Sequence, residues 1–330
     1  MVTNIGIDLG TSTVLVCLKG KGVVIQEPNV VAIDKGAGTI LAIGEEAKQM
    51  LGKTPGDISA VKPLQNGVIS NCSIMEKVLH HFIVKICGKF RLVRPRVLVC
   101  VPSSTTSIER RAVVSVIKRS GAREVYLIEQ PVVAAIGIGL PIEEATGNMV
   151  VNIGGGTCDI AVISLGGVVQ SLSLPAGGDK LEQAILKYIK EFYNLAIGEQ
   201  TAEEIKIKLG SAYPLAEEET LDVVGRDLIS GLPKTITLTS SEIREALIEP
   251  ITIIVEGIKR VLSKTPAELV SDIMDSGIVL TGGGVKLRGF DLLLQRTLGI
   301  PAYVANDSLL CVAKGMERVL EEIKRFGKVF

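Results

Sequence analysis

The sequence has few of the residues that most metal sites and hydrolase triads require. Its only histidines are the adjacent His80 and His81, in a stretch with helical spacing, so a His-ligated metal site or a Ser-His catalytic pair cannot readily be built. The six cysteines include no C-x-x-C pair and follow no signal peptide. We therefore expect buried thiols in a reducing cytosol and no disulfide framework.

Charge and long apolar runs are also limited. Lys and Arg together number 36, as do Asp and Glu, so there is no basic field of the kind that nucleic-acid binders use, and we expect no nucleic-acid partner. The longest apolar run, 131–142, is shorter than the roughly 17–25 residues of a spanning helix. We expect a soluble or peripheral protein. A chain of 330 residues also favours two domains with a cleft between them.

A glycine-rich turn occurs twice, in residues 5–13 and again in 150–159, 144 positions downstream. Each copy begins with β-branched residues, continues with Asp8 or its amide counterpart Asn152, and then has glycines or small polar residues before a second apolar strand. This pattern predicts two hairpins whose turns present N–H groups to an anion. A third glycine-rich turn, 282–284, follows another apolar strand. Three such turns indicate phosphate binding rather than linkers.

These turns also carry a family resemblance. The motifs are Asp8-Leu9-Gly10-Thr11, Asn152-Ile153-Gly154-Gly155-Gly156-Thr157 and Leu280-Thr281-Gly282-Gly283-Gly284. Together with Glu27-Pro28-Asn29-Val30-Val31-Ala32, Ile197-Gly198-Glu199-Gln200-Thr201-Ala202-Glu203 and Gly210-Ser211-Ala212-Tyr213-Pro214, they make the chain resemble the MreB family of bacterial actins, in the superfamily of actin, sugar kinases and heat-shock chaperone ATPases. The resemblance implies an α/β, actin-like ATPase fold. Two ribonuclease-H-like domains with inserted subdomains would surround a nucleotide cleft.

The resemblance also implies domain boundaries. The first half would span 1–143, with a core at 1–31 and 65–143, a small insertion at 32–64 and a C-terminal helix at 307–330 that returns to it. The second half would span 144–306, with a core at 144–178 and 241–306 and an insertion at 179–240.

By the same resemblance, the cleft would hold ATP or ADP with Mg²⁺. The residues expected to take part in catalysis are Gln130, Asp8, Asn152 and Thr157, with Asp8 also holding the metal through water. The residues expected to bind the nucleotide are Gly10, Thr11, Ser12, Thr13, Gly154, Gly155, Gly156, Thr157, Gly178, Glu203, Glu204, Ile205, Lys206, Gly282, Gly283, Gly284 and Val285. Without the resemblance, Glu203 and Lys206 would be assigned to a solvated helix face.

Two positions depart from the family pattern. Gln130 follows a predicted β-α-β unit, at the strand edge where ligands bind. The family usually has glutamate there, and a carboxamide can orient a water molecule but cannot accept its proton, a loss of roughly 10²–10⁴-fold in the chemical step. Asn152 replaces an aspartate that would hold water around Mg²⁺; alternatively, it only preserves the hydrogen bonds of the turn. We expect a weak ATPase.

Helix boundaries are predicted from capping boxes at Thr106, Thr201 and Thr239, each followed three residues later by Glu. The last helix is predicted over about 309–326. The Gly52-Lys53-Thr54 stretch is not a Walker A loop, because Ala47 stands where the leading glycine belongs.

The loop at 89–96 mixes four cations with Phe90, Leu92 and Val93, and the tail at 323–330 repeats the pattern. Such segments can insert apolar groups while their cations meet anionic headgroups, and MreB relatives bind membranes through a loop at this place. The alternative is a solvated loop whose apolar side chains pack underneath. We expect no amphipathic anchor helix before residue 5.

The leading hypothesis is a bacterial actin that forms cytoskeletal filaments in the cytoplasm, at the inner face of the cytoplasmic membrane, and supports cell shape. Polymerisation is implied by the resemblance alone and would use a head-to-tail contact that does not close. The alternative is a small-molecule kinase of the same superfamily, although the sequence has no further catalytic-aspartate pattern. A chaperone ATPase is a third option, but we expect no substrate-binding domain after these motifs.

Overall fold

The computed structural model of the chain describes residues 4–88 and 94–322. The predicted membrane contacts at Phe90, Leu92 and 323–330 lie outside these residues. The elements up to residue 138 are β1 (Asn4–Leu9), β2 (Thr13–Leu18), β3 (Gly22–Pro28), β4 (Val31–Asp34), β5 (Ile40–Ile43), α1 (Glu45–Gln49), β6 (Ile58–Val61), β7 (Leu64–Gln65), β8 (Val68–Ile69), α2 (Cys72–Cys87), β9 (Arg96–Val101), α3 (Ser107–Arg119), β10 (Glu124–Glu129) and α4 (Gln130–Ile138).

The remaining elements begin at residue 148. They are β11 (Asn148–Ile153), β12 (Cys158–Ser164), β13 (Gly167–Leu174), α5 (Gly178–Tyr193), β14 (Leu195–Ala196), α6 (Glu199–Leu209), β15 (Thr220–Asp227), β16 (Pro233–Thr239), α7 (Ser240–Leu262), α8 (Ala267–Ser276), β17 (Ile278–Thr281), α9 (Phe290–Leu298), β18 (Ala302–Val304) and α10 (Cys311–Glu321), with 3-10 turns at Gly284–Lys286 and Ser308–Leu310.

Two five-stranded sheets repeat one arrangement. The first has the order β10-β9-β1-β2-β3, and the second has the order β18-β17-β11-β12-β13. In each sheet the central strand, β1 or β11, pairs antiparallel with the strand that follows it and parallel with a later strand, β9 or β17. The predicted hairpins are confirmed, and the third glycine turn after β17 occupies the place that follows β9 in the first sheet.

Smaller sheets lie inside the segments predicted to be insertions. Strands β5, β4 and β6 form one sheet within 31–61, and β14, β15 and β16 form another within 195–239. The helix α5 packs Leu181, Ile185 and Ile189 into the core of the second half, as its four-residue spacing of apolar side chains requires. The domain boundaries themselves stay a prediction.

Helices α4 and α10 pack against each other between the two large sheets. The helix α4 contacts β11 and β12, while α10 contacts β1 and β2. Their approach is close, since a Cβ at Gly137 would lie 1.9 Å from the carbonyl oxygen of Cys311, and one at Gly315 would lie 1.9 Å from that of Val133. One hydrophobic core therefore connects both sheets through these helices.

Two of the three predicted capping boxes are confirmed, at Thr106 with Glu109 and at Thr239 with Glu242. The third was wrong. The helix α6 begins at Glu199 after Gly198, which supplies extended backbone and no side-chain cap, so Thr201 lies inside the helix. The S/T-x-x-E pattern arises inside helices as well as before them, and here its Glu204 pairs with Lys208 instead.

Candidate functional site between the two hairpin turns

The turns of the β1–β2 and β11–β12 hairpins face each other. A Cβ at Gly155 would lie 2.0 Å from Ser12 Oγ, and one at Gly156 would lie 2.4 Å from Thr11 Oγ1. Neither position has room for a side chain. The two predicted phosphate-binding turns are thus brought together, and the glycines permit a contact that any other residue would block.

The side chains of Asp8 and Gln130 meet beside the first turn. Gln130 is the first residue of α4, is buried, and donates from Nε2 to Asp8 Oδ1 at 2.8 Å. Burial raises the pKa of Asp8 to about 6, the hydrogen bond from Gln130 lowers it, and the charge of Asp159 raises it. Two predicted catalytic residues from distant parts of the chain are therefore in direct contact.

Asn152 holds the equivalent place on the second hairpin. It is buried, and its Oδ1 accepts a hydrogen bond from the Thr281 hydroxyl of the neighbouring strand at 3.1 Å. The third glycine turn follows directly, since a Cβ at Gly282 would lie 2.3 Å from the carbonyl oxygen of Ile153. Gly283 and Gly284 continue this turn, whereas the side chain of Val285 is buried in the core.

The Thr157 hydroxyl contacts a buried acid, Asp159, that is not among the predicted site residues. The hydroxyl donates to Asp159 Oδ2 at 2.9 Å, and the backbone N–H of Ser103, just after β9, donates to Asp159 Oδ1 at 3.1 Å. Asp159 is fully buried, and burial raises its pKa against the hydrogen bonds that lower it. An aspartate inside the otherwise apolar strand β12 was the available signal.

The N-terminus of α5 lies against the second turn. Gly178 donates its N–H to the carbonyl oxygen of Gly154 at 3.0 Å, and Asp179 donates to that of Gly155 at 2.7 Å. A Cβ at Gly178 would lie 3.2 Å from Lys206 Nζ, so a cation from α6 approaches the same place. Lys206 pairs with Glu182, whose pKa is raised mainly by burial.

The α6 residues predicted to contact the nucleotide divide into two groups. Glu203 pairs with Lys48 at 3.0 Å, and Lys206 lies near Gly178, so both stand at the cleft. The side chain of Ile205 is fully buried in the core, and Glu204 is exposed and pairs with Lys208. Any contact that Ile205 makes with a ligand would have to come from its backbone.

Contacts between the two predicted insertions, 32–64 and 179–240, close one side of the cleft. Lys62 pairs with Asp179 at 2.9 Å, and Gln200 Nε2 donates to the carbonyl oxygen of Lys48 at 2.6 Å. Glu203 pairs with Lys48 beside them, and the residues of these three contacts line a pocket together with Ser12. The two ion pairs are half-buried, and each joins a residue of the first half to a residue of the second.

The arrangement suits a phosphorylated ligand. Glycine-rich turns offer backbone N–H groups and Lys206 offers a cation, beside the Asp8 carboxylate, which can face a metal-bound water. Within residues 4–88 and 94–322, no three His, Cys, Asp or Glu side chains come together as a metal cluster. Over the same residues, no helix has the length and apolar character needed to cross a bilayer.

Known proteins match the chain over nearly its whole length. The family model of the MreB/Mbl protein matches residues 2–328. The cell shape-determining protein Mbl of Bacillus subtilis is 50% identical over 325 residues, covering 98% of both chains. The cell shape-determining protein MreB of Escherichia coli is 51% identical over 329 residues, covering 98% of this chain and 95% of its own.

Solved structures give the same result. MreB5 of Spiroplasma citri bound to ADP superposes with a TM-score of 0.94 at 37% identity, covering 99% of both chains. The same protein bound to AMPPNP also gives 0.94. The MamK double helical filament gives a TM-score of 0.82 at 20% identity, and this similarity shows the fold alone. The predicted actin-like fold is confirmed, and the chain belongs to the MreB/Mbl family.

Proposed function

We propose that this chain is a bacterial actin that binds ATP or ADP with Mg²⁺ between its two hairpin turns and polymerises into filaments that support cell shape. The observation that carries the proposal is the contact of Gly155 and Gly156 with the first turn, next to the Asp8–Gln130 pair. Further support comes from relatives. The solved structures of MreB5 of Spiroplasma citri are bound to ADP and to AMPPNP. Two relatives that are 50% and 51% identical to this chain are named cell shape-determining proteins.

In this proposal the phosphates lie between the turns, and Asp8 faces a water molecule of the Mg²⁺ shell. Mg²⁺ usually keeps several waters and takes one or two carboxylates plus phosphate oxygens, and Asp8 would be such a carboxylate. Bound Mg²⁺ would neutralise charge on the phosphates during hydrolysis. Hydrolysis is slow, because Gln130 can orient the attacking water but cannot take its proton.

Nucleotide binding is tested by titrating Mg²⁺-ATP into the purified chain and into Gly156→Ala. The added Cβ would lie 2.4 Å from Thr11 Oγ1, so the turns must separate. We expect a loss of roughly tenfold or more in ATP affinity, the value of one charge-assisted hydrogen bond of about 1.5–3 kcal/mol. Gly56→Ala is the matched control, since nothing lies within 4 Å of its Cβ. Unmeasurable affinity of the unmodified chain for ATP and ADP contradicts the proposal.

Self-association is supported by family membership and by apolar side chains exposed around the β15–β16 connection. Ile229 is 82% exposed and Leu232 is 65% exposed, and clustered apolar exposure marks interaction surfaces. Sedimentation, light scattering and electron microscopy with ATP, ADP and no nucleotide test for filaments. A chain that stays monomeric at every concentration and nucleotide state would exclude them. The kinase alternative predicts instead phosphate transfer to a small acceptor, and the relatives give it no support.

Membrane association is proposed through Phe90, Leu92 and the tail at 323–330. The chain should sediment with anionic vesicles more than with neutral ones, because cations flank the apolar residues. Replacing Phe90 and Leu92 together by Ser should reduce this binding. Phe192→Ser is the control, since Phe192 is an exposed aromatic residue on α5. Equal binding by both variants would assign the membrane contact elsewhere.

A further inference from the structure

Asp159 is a fully buried acid held by neutral donors from both halves of the molecule. Ser103 N–H, which follows β9 in the first sheet, donates to Oδ1, and the Thr157 hydroxyl of the second turn donates to Oδ2. A hydrogen bond from Ser173 on β13 completes the set. Burying a carboxylate is costly, and three donors around one carboxylate offset that cost while fixing its orientation.

The contact with Asp159 determines which way the Thr157 hydroxyl points. An ionised carboxylate can only accept hydrogen bonds, so the hydroxyl must turn its proton towards Asp159. The Thr157 oxygen then keeps its lone pairs for another donor. Thr157 itself lies at the cleft, since a Cβ at Gly67 would approach its Cγ2 to 2.9 Å while Gly67 N–H donates to Thr11 in the facing turn.

Gln130 is oriented in the same manner by Asp8. Its Nε2 donates to Asp8 Oδ1, so its Oε1 is left as the acceptor. The two carboxylates are near enough for the charge of Asp159 to raise the pKa of Asp8. Each carboxylate therefore makes a neutral side chain present an oxygen acceptor at one cleft. A water molecule that donates its two hydrogens to two acceptors has a lone pair left for a phosphorus atom.

We propose that Asp159 is a positioning residue for nucleotide hydrolysis, which sets the Thr157 oxygen as an acceptor for the attacking water. The inference rests on the proposed function. The water oxygen forms a bond to the γ-phosphorus while the bond from that phosphorus to the oxygen of ADP breaks. The proton lost by the water ends on the phosphate product, so Asp159 is not itself consumed. Gln130 and Thr157 together hold the water in line.

The test is Asp159→Asn, which reverses the Thr157 hydroxyl. Ser103 N–H can only donate, so the new amide oxygen must face Ser103 and the new NH₂ group must face Thr157. The hydroxyl proton would then point into the cleft. We expect the single-turnover hydrolysis rate to fall by roughly tenfold to a hundredfold, while the affinity for ATP changes by less than about twofold. Asp272→Asn is the matched control, because Asp272 accepts a backbone N–H from Gly147 away from the cleft.

A double-mutant cycle separates this role from a structural one. Thr157→Val removes the hydroxyl, and Asp159→Asn should lower the rate no further in that background, since it acts through the hydroxyl alone. If Asp159→Asn is unfolded at the assay temperature, Thr157→Ser and Thr157→Val give the comparison without altering Asp159. Serine keeps the hydroxyl and should hydrolyse ATP at least about tenfold faster than valine.

The outcomes are distinct. An unchanged rate in Asp159→Asn, additive losses in the cycle, or equal rates for the serine and valine variants would each overturn the inference. ATP binding by the unmodified chain without any hydrolysis would also overturn it, while nucleotide binding stood. Absence of nucleotide binding would overturn the proposed function as well.

Discussion

The two hairpins share a backbone but place their acids differently. In β1–β2, Asp8 pairs across the strands with Leu15, and in β11–β12 the equivalent pair is Asn152 with Asp159. The carboxylate thus precedes the turn in the first hairpin and follows it in the second. The duplicated backbone supplies the same N–H groups twice. The two carboxylates have different contacts, because Asp8 would face the proposed metal whereas Asp159 accepts from Thr157.

The largest expected effect comes from Gln130→Glu, which adds a proton acceptor beside the first hairpin. We expect the single-turnover hydrolysis rate to rise by roughly 10²-fold or more, because a carboxylate can accept a proton from water. The new carboxylate would face Asp8 across the present 2.8 Å contact, so the pair should share a proton unless Mg²⁺ is bound. Quench-flow measurement with Mg²⁺-ATP checks the rate. An unchanged rate would place water activation elsewhere.

Asp8→Asn removes the charge that distinguishes the first hairpin. The pKa of Asp8 rises from 3.8 to about 6 on folding, so the native state holds the proton more strongly and loses stability as the pH rises through that range. At pH 7 the cost is about 3 kcal/mol. Asp8→Asn can still accept a hydrogen bond from Gln130. Without nucleotide, this variant should be more stable than the unmodified chain by up to about 3 kcal/mol at pH 7, and by almost nothing below about pH 4.

Urea denaturation of both proteins across this pH range measures the difference. Asn152→Ala is the control from the second hairpin, because it removes an amide that does not titrate and should lower the stability equally at both pH values. A gain for Asp8→Asn that does not depend on pH would contradict the electrostatic explanation. The same variant should lose the Mg²⁺ dependence of its ATP affinity.

Asn152→Asp would make the second hairpin resemble the first. The new carboxylate would be buried opposite Asp159 and would accept a hydrogen bond from the neutral Thr281 hydroxyl, so we expect a loss of about 1–3 kcal/mol in the nucleotide-free protein. Mg²⁺-ATP should reduce this loss if the position faces the metal shell. Thermal unfolding with and without Mg²⁺-ATP measures it. An equal loss in both conditions would support the interpretation that Asn152 only maintains the turn.

The sequence alone indicated the hairpins, because their signals are local. An apolar strand, an acid or amide, and glycines without room for a Cβ all lie within about ten residues, and Gly155 and Gly156 make the close contacts that such glycines permit. The place of Gln130 at the edge of the sheet was also predictable, from a strand followed by a helix, whereas its proposed role came from the family resemblance. The contact of Gln130 with Asp8 was not, since the two residues are 122 positions apart.

The residues that sequence reasoning missed or misplaced depend on distant partners. Asp159 acquires its orientation from Ser103, which follows β9 of the other large sheet, so its own neighbours in sequence suggest only a strand residue. Thr201 carries a capping pattern, but Gly198 starts the helix three residues earlier because tertiary packing of α6 overrides the local signal. The helix α8 was not predicted at all, although Ile273 anchors it in the core.

The smallest expected effect concerns the hydrogen bond from the Thr281 hydroxyl to Asn152 Oδ1. Asn152 stands where the first hairpin has the charged Asp8. Thr281→Val keeps the shape of a fully buried side chain but removes the hydroxyl that donates to Asn152 Oδ1, at a cost of about 1 kcal/mol. Thr237→Val is the control, because its hydroxyl meets Asp222 on an exposed strand face and should matter by less than about 0.5 kcal/mol. Chemical denaturation measures both. Equal losses would mean that the second hairpin does not depend on this bond, and that Asn152 is held by the turn backbone alone.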